Sequence, residues 1–233
     1  MTIIAAALQA CLDRIATACN EAGRPDHCAR LLAVSKTFPA ASLRAAHAAG
    51  QRAFGENYLQ EALAKQQQLL DLALEWHFIG PIQSNKTRQI AANFAWVHSL
   101  EREKIALRLA EQRPPNLPPL QVCIQVNVSG EASKSGVQPE AALALAERIA
   151  PLPNLTLRGF MAIPEASPNT HRQRSQFHCL AELLDAARAH PILHALPLDT
   201  LSMGMSADLE TAIQEGATLV RVGTAIFGTR PPV

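Results

Sequence analysis

Short runs of apolar residues recur along the chain and alternate with longer stretches in which apolar residues keep helical spacing. Eight of the runs are strand candidates, at 31–36, 52–56, 75–80, 95–100, 120–128, 155–163, 198–204 and 218–223. Helical stretches lie between them, at 42–50, 57–73, 84–94, 101–113, 139–150, 174–190 and 206–216. Strands that are buried on both faces are nearly continuous in apolar residues, and helical crossovers make neighbouring strands parallel. The pattern therefore predicts an α/β protein with a parallel sheet.

The number of strand and helix units favours a closed barrel. Eight units in 233 residues are close to the usual size of a (β/α)8 barrel, about 250 residues. An open doubly wound sheet is the alternative, but no GxGxxG follows the first strand and no GxxxxGK[ST] occurs in the sequence, so its nucleotide-binding signatures are missing. We expect a single (β/α)8 TIM barrel domain over residues 1–233.

The net charge, the length of the apolar runs and the spacing of the cysteines limit the partners and the cellular compartment that we expect. The formal net charge is +1, so no overall field attracts nucleic acid or an anionic membrane. No apolar run reaches the length of about 20 residues that spans a bilayer, and the first 23 residues have the pattern of an amphipathic helix rather than of an export signal. The five cysteines show neither CxxC nor zinc-ligand spacing. We expect a cytoplasmic protein without nucleic-acid, membrane or metal partners.

The first predicted strand ends in an unexpected lysine. In such barrels, chemistry gathers at the carboxyl ends of the strands, and Lys36 follows the apolar run LLAVS. A strand-end lysine often only extends its amine to solvent. A neutral lysine amine can instead attack a carbonyl group and form a Schiff base. The two interpretations of Lys36 stay open on the pattern alone.

The ends of the last two strands have the composition of an anion site. Ser202 and Gly204 follow the seventh strand, and Gly223 and Thr224 follow the eighth. The loops after these two strands are the commonest phosphate site of TIM barrels. Plain turn formation by the glycines is the alternative, and we interpret Ser206 as the N-cap of a helix beginning at Ala207.

Arg221 lies in the otherwise apolar eighth strand, where a buried guanidinium needs an acceptor. It is a candidate for the pyridine nitrogen of pyridoxal 5′-phosphate (PLP), an aldehyde that carries a phosphate. An ion pair with Glu56 or Glu165 is an equally good interpretation.

Seven motifs carry a family resemblance: AVSKTFP, FGENYLQEALAK, WHFIGPIQSNK, VHSLERE, QVNVSGEASKSGV, LRGFMAI and LSMGMSADLETAIQEGATLVRVGTAIFGTR. Together they resemble the YggS/PROSC family of pyridoxal phosphate homeostasis proteins, from about residue 30 to residue 230. The resemblance implies a barrel similar to the N-terminal domain of alanine racemase, with PLP as the cofactor.

The resemblance also implies roles for particular residues. Lys36 is the Schiff-base lysine, Arg221 takes the pyridine nitrogen, and the phosphate is held by Ser202, Gly223 and Thr224. Further contacts are expected from Asn57, Asn85, Met203 and Met205. The two asparagines have turn formation or helix capping as an alternative role. Lys86 and Lys134 are expected to be solvated.

On this basis we expect a PLP-binding protein of intracellular PLP homeostasis, with little or no turnover. PLP-dependent apoenzymes are candidate recipients, and the resemblance favours a monomer. A small PLP-dependent racemase or lyase is the alternative, but a two-base racemase takes its second base from a separate β domain. Tyr58 is the sole tyrosine, and we expect it to be packed or exposed rather than catalytic. A cofactor-free Schiff-base enzyme is the third hypothesis.

Overall fold

The computed structural model describes residues 2–131, 134–165 and 169–229. Eight parallel strands form a closed barrel in the order β1 to β8. Their bounds are Arg30–Val34, Ala53–Glu56, Glu75–Phe78, Trp96–Leu100, Leu120–Gln125, Leu155–Met161, Thr200–Ser202 and Leu219–Val222. The predicted (β/α)8 barrel is confirmed, and the open sheet is wrong, because β1 pairs with both β2 and β8.

Helices follow the strands around the outside of the barrel. Helices α1 to α9 span Ile3–Glu21, Ala40–Ala48, Leu59–Gln68, Thr87–Asn93, Glu103–Gln112, Pro139–Ile149, Thr170–Ala189, Leu209–Gln214 and Thr224–Phe227, and a 3-10 turn spans Ser84–Lys86. Residues 132 and 133 of the motif QVNVSGEASKSGV and residue 230 of the last motif lie outside the described ranges. None of the helices in those ranges is long and apolar enough to cross a bilayer.

Each strand is apolar because its two faces are buried in different places. The main core cluster includes Leu31, Ala33 and Val220, whose side chains point from the sheet toward the helices. Alternate residues of the same strands form separate apolar groups inside the barrel, among them Leu32 and Leu219. This alternation is the period of two that a strand imposes on its side chains. Side chains of the described residues thus fill the interior of the barrel.

One predicted helix start is wrong. Helix α8 begins at Leu209 rather than at Ala207, and Ser206 lies in the preceding turn. The carboxylate of Asp208 accepts a hydrogen bond from Met205 N at 2.5 Å, so the turn is closed by its own side chain, and Ser206 is not the N-cap. Ser206 is instead held by Arg14 of α1, whose Nη1 donates to Ser206 O at 2.9 Å.

The closure of β6 on β7 depends on a glycine. Gly159 has φ +141°, and a Cβ at this position would lie 2.1 Å from Thr200 O. We predict that Gly159→Ala lowers the free energy of unfolding by about 3 kcal/mol, because the added methyl collides with a backbone oxygen that cannot move freely. Gly50→Ala is the matched control, since Gly50 also has a positive φ (+105°) but no atom within 4 Å of the added Cβ. The control should lose about 1 kcal/mol. Urea unfolding measures both, and equal losses would contradict the steric argument.

Candidate functional site

A cavity of about 280 Å³ opens at the carboxyl ends of the strands. It brings together six of the residues that the sequence singled out: Lys36, Asn57, Met205, Arg221, Gly223 and Thr224. The remaining wall consists of Val34, Phe38, Ile79, Ile163, Ser206 and Ala207. Lys36 and Arg221 are the two residues of this described lining that carry an ionisable side chain.

Three predicted site residues do not line the cavity. Asn85 is exposed in the 3-10 turn after β3. Met203 is fully buried in the main core cluster, and Ser202 is buried inside the barrel. Lys86 and Lys134 also lie outside the cavity lining. The side chain of Lys134 is 28% exposed, with Nζ 4.0 Å from Glu131 Oε2.

The backbone next to Lys36 has an unusual conformation. Thr37, the following residue, has φ +70°, a region that β-branched residues adopt only when the surroundings enforce it. Glu61 of α3 enforces it here, because its Oε1 accepts a hydrogen bond from Thr37 N at 2.5 Å. On the other side, Ser35 N donates to Gly55 O at 3.0 Å and extends the β1 ladder.

A buried lysine beneath the loop completes this support. Lys65 Nζ donates to Ser35 O at 2.7 Å, to Glu56 Oε1 at 2.6 Å and to Glu61 Oε1 at 2.6 Å. These three bonds use all the donors of an ammonium group. The network thus holds the residues on both sides of Lys36, and it fixes where the Lys36 side chain leaves the backbone. Glu61 and Lys65 are four residues apart on α3, and this spacing could have indicated their ion pair from the sequence. It does not indicate the bond from Lys65 to Glu56.

Arg221 is held by groups at the carboxyl ends of β6 and β7. Its Nη2 donates to Ala162 O at 2.8 Å, and its Nη1 donates to Ser202 Oγ at 2.9 Å and to Ser202 O. Burial lowers the pKa of Arg221 to about 10, so the guanidinium remains charged at neutral pH. The alternative ion pairs are not formed, because Glu56 pairs with Lys65 and Glu165 pairs with Arg172.

The loops after β7 and β8 contribute hydroxyl and backbone groups to the cavity. Ser206, Gly223 and Thr224 lie together in the lining, on the two loops that the sequence predicted for an anion. Gly223 is packed closely, since an added Cβ would lie 3.0 Å from Val34 O. Ser206 lines the cavity, whereas Ser202, which the resemblance assigned to the phosphate, does not. Sequence reasoning missed Ser206 as a cavity residue because a serine just before a predicted helix is typical of an N-cap.

Asn57 contributes a polar atom that lacks a partner. Among the described residues, nothing forms a hydrogen bond with its buried Oδ1. Buried polar atoms are nearly always satisfied, so this oxygen in the cavity wall is a candidate ligand contact. The backbone of Asn57 packs closely against Gly80, where an added Cβ would lie 2.1 Å from Asn57 O.

Tyr58 and the cysteines lie elsewhere. Tyr58 is 55% exposed and is not part of the cavity lining, as expected. The five cysteines are free thiols, and burial raises the pKa of Cys123 to about 12 and that of Cys11 to about 11. Neither of these two thiols is a thiolate nucleophile at neutral pH.

Comparison with known proteins decides the family. The family model "Alanine racemase, N-terminal domain" matches residues 6–231. The pyridoxal phosphate homeostasis protein of Pseudomonas aeruginosa is 61% identical over 230 residues, which are 99% of this chain and 97% of the relative. That of Escherichia coli K12 is 50% identical over 221 residues, covering 94% and 93%. The chain belongs to the pyridoxal phosphate homeostasis protein family.

Solved structures agree with this family assignment. The structure of PipY from Synechococcus elongatus with PLP bound has 37% identity and a TM-score of 0.78, and the match covers 92% of this chain and 100% of PipY. An alanine racemase from Clostridium difficile has a TM-score of 0.71 at 13% identity, covering 95% of this chain and 57% of the racemase. The racemase likeness shows the shared fold alone.

The network beneath Lys36 predicts a specific stability defect in this family member. Lys65→Met leaves the buried Glu56 without its cation, and we expect a loss of about 3 kcal/mol in the free energy of unfolding. Lys65→Met combined with Glu56→Gln should recover part of that loss, because no charge is left buried. Urea unfolding of the two variants checks this, and a double variant as unstable as the single one would contradict it.

The same variant predicts a pH dependence. Burial raises the pKa of Glu56, and Lys65 opposes that shift. Without Lys65, the folded-state pKa of Glu56 rises further above its unfolded value of about 4.3. The folded state then binds more protons than the unfolded state, so stability falls as pH rises above that value. The deficit of Lys65→Met relative to wild type should be smaller at about pH 5 than at about pH 8. A deficit that is the same at both pH values would contradict the burial of a charged Glu56.

Proposed function

We propose that this protein binds PLP through a Schiff base on Lys36 and acts in PLP homeostasis with little or no turnover. The observation that carries the proposal is one cavity at the barrel mouth that contains a lysine amine, a buried guanidinium and two hydroxyl side chains. The names of the relatives and the PLP bound by PipY support the choice of ligand.

The residues of the cavity fit the functional groups of PLP. Lys36 supplies an amine for the aldehyde, and Arg221 supplies a charged donor for the ring nitrogen. Ser206, Gly223 and Thr224 supply hydroxyl and backbone donors for the phosphate, and Asn57 Oδ1 supplies an acceptor. The volume of about 280 Å³ is near the lower end of the range for ligand pockets, about 300 Å³.

The linkage needs only the amine and the aldehyde. The Lys36 amine would hold the ligand through its aldehyde, because a neutral amine condenses with an aldehyde to a C=N bond and its two hydrogens leave with the aldehyde oxygen as water. PLP, when bound, supplies an electrophilic carbon and a ring that withdraws electrons. The hydrogen bonds beneath Lys36 keep its backbone in place while the amine reacts.

Two features of the cavity oppose catalysis. Arg221 stays protonated, so a ring nitrogen that accepts its hydrogen bond stays unprotonated, and the ring is a weaker electron sink. The described lining also offers no carboxylate, imidazole, phenol or thiol as a second base. A racemase or lyase that uses Lys36 as its base is therefore the less supported function.

Further parts of the proposal rest on the sequence. They are a single domain over residues 1–233, a monomeric state, a cytoplasmic location and PLP-dependent apoenzymes as recipients.

The Schiff base can be trapped by reduction. We expect borohydride treatment of the PLP-loaded protein to leave a phosphopyridoxyl group on the peptide that contains Lys36, identified by mass spectrometry. Lys36→Ala should lose the adduct, while Lys86→Ala should keep it, because Lys86 lies outside the cavity lining. Equal labelling of wild type and Lys36→Ala would contradict the assignment.

The absence of turnover is tested by isotope exchange. In deuterated water, the PLP-loaded protein should incorporate deuterium at the α-carbon of alanine no faster than Lys36→Ala does, because a ring nitrogen that accepts from the charged Arg221 stays unprotonated and leaves the ring a weak electron sink. Exchange that is at least about a hundredfold faster than in Lys36→Ala would support the racemase or lyase instead.

A further inference from the structure

A row of hydrogen bonds runs through the interior of the barrel and ends at Arg221. Glu75 Oε1 lies 2.8 Å from His77 Nε2, and His77 Nδ1 lies 2.8 Å from His98 Nε2. His98 Nδ1 lies 2.8 Å from Ser202 Oγ, which accepts from Arg221 Nη1 at 2.9 Å. We call these five residues the barrel chain. It joins the first residue of β3, at the far end of the barrel, to the cavity at the mouth.

The chemistry of its two ends gives the barrel chain a direction. The Glu75 carboxylate only accepts, so His77 carries its proton on Nε2. A neutral His77 then accepts at Nδ1, and His98 carries its proton on Nε2. His98 in turn accepts at Nδ1 from the Ser202 hydroxyl, which accepts from Arg221. Every hydrogen therefore points from Arg221 toward Glu75.

The surroundings keep both imidazoles neutral and in place. His77 and His98 are fully buried, and burial lowers the pKa of each. The His77 ring stacks on Trp96, with centroids 5.4 Å apart and planes 5° apart. Arg30 lies over the Trp96 ring, and its charge further lowers the pKa of both imidazoles. Arg221 also lowers the pKa of His98, while the Glu75 carboxylate opposes the shift at His77.

We propose that His77, His98 and Ser202 are positioning residues for Arg221, and that their one-way hydrogen bonds hold its guanidinium toward the ring nitrogen of the ligand. This inference rests on the proposed function for the identity of the ligand, whereas the direction of the barrel chain does not. The direction of the barrel chain also excludes Ser202 as a hydrogen-bond donor to the phosphate. The single Ser202 hydrogen is donated to His98, so none remains for a phosphate oxygen, and Ser206 takes that role.

The direction of the barrel chain is tested by nitrogen-15 NMR of histidine-labelled protein, before and after hydroxylamine removes bound PLP. His77→Asn and His98→Asn assign the signals. We expect both imidazoles to be neutral with the proton on Nε2. A proton on Nδ1 of His98, or a charged His77, would overturn the proposal. Glu75→Gln, which keeps an acceptor oxygen, should preserve the His77 tautomer, and Glu75→Leu should lose it. A tautomer that survives in Glu75→Leu would also overturn it.

The role of Ser202 is tested by comparing PLP with pyridoxal, which lacks the phosphate. A positioning role predicts that Ser202→Ala weakens both ligands by the same factor, about tenfold, and shifts the absorbance maximum of the PLP-loaded protein. Thr224→Ala should weaken PLP alone. If Ser202→Ala weakens PLP but not pyridoxal, or leaves both unchanged, the proposal fails. Melting curves verify folding. If Ser202→Ala does not fold, His98→Phe takes its place, because it removes the acceptor of the Ser202 hydroxyl. It should likewise weaken PLP and pyridoxal by the same factor and shift the absorbance maximum.

Failure of the proposed function and failure of the barrel-chain inference give different results in these experiments. Absence of PLP binding in wild type, with both histidines protonated on Nε2, would refute the proposed function and leave the barrel chain intact. PLP binding in wild type, with the histidine tautomers reversed, would refute the barrel-chain inference and leave the proposed function intact.

Discussion

The pairing of β1 with β8 is the constraint on which the site depends. Its hydrogen bonds close the barrel and place Leu32 opposite Arg221 and Ala33 opposite Val222. The first and the last strand thus become neighbours, although their residues lie at opposite ends of the sequence. Lys36 leaves the end of β1, and Gly223 and Thr224 leave the end of β8. A slip of one residue in this register would turn Arg221 out of the barrel.

Burial of charge is the second constraint, and the fold meets it in two places. Beneath Lys36, the Lys65 ammonium is satisfied by two carboxylates and a carbonyl. In the cavity wall, Arg221 is satisfied by carbonyls and the Ser202 hydroxyl. A buried charge without partners costs several kcal/mol, so each network specifies one arrangement of its cation. The cavity is therefore formed by groups that are already in place.

Local patterns in the sequence predicted the barrel and part of its site. The strands are apolar because both faces are buried, and chemistry lies where they end, so Lys36, Arg221, Gly223 and Thr224 could be found without coordinates. The partners of these residues that are distant in sequence could not be predicted in this way. Ser202 and His98 are 104 residues apart in sequence, and no local pattern joins them. Lys65 has the pattern of a helix surface residue, yet it is buried because Glu56 lies beneath it.

Two site assignments came from the resemblance, and the structure gives them no place in the cavity. Asn85 is exposed in a turn, and Met203 packs between strand and helices. A motif records which residues recur in a family, but it does not distinguish those that touch the ligand from those that shape the loop. Ser206 was missed for the converse reason, because a serine before a helix has the pattern of a cap.

The most direct measurement for this account is a crystal structure of the protein grown with PLP. The account predicts continuous density from Lys36 Nζ to the aldehyde carbon of PLP, with Arg221 within hydrogen-bonding distance of the ring nitrogen and the phosphate between the Ser206 and Thr224 loops. PLP attached to another lysine, or bound with its ring nitrogen away from Arg221, would contradict it.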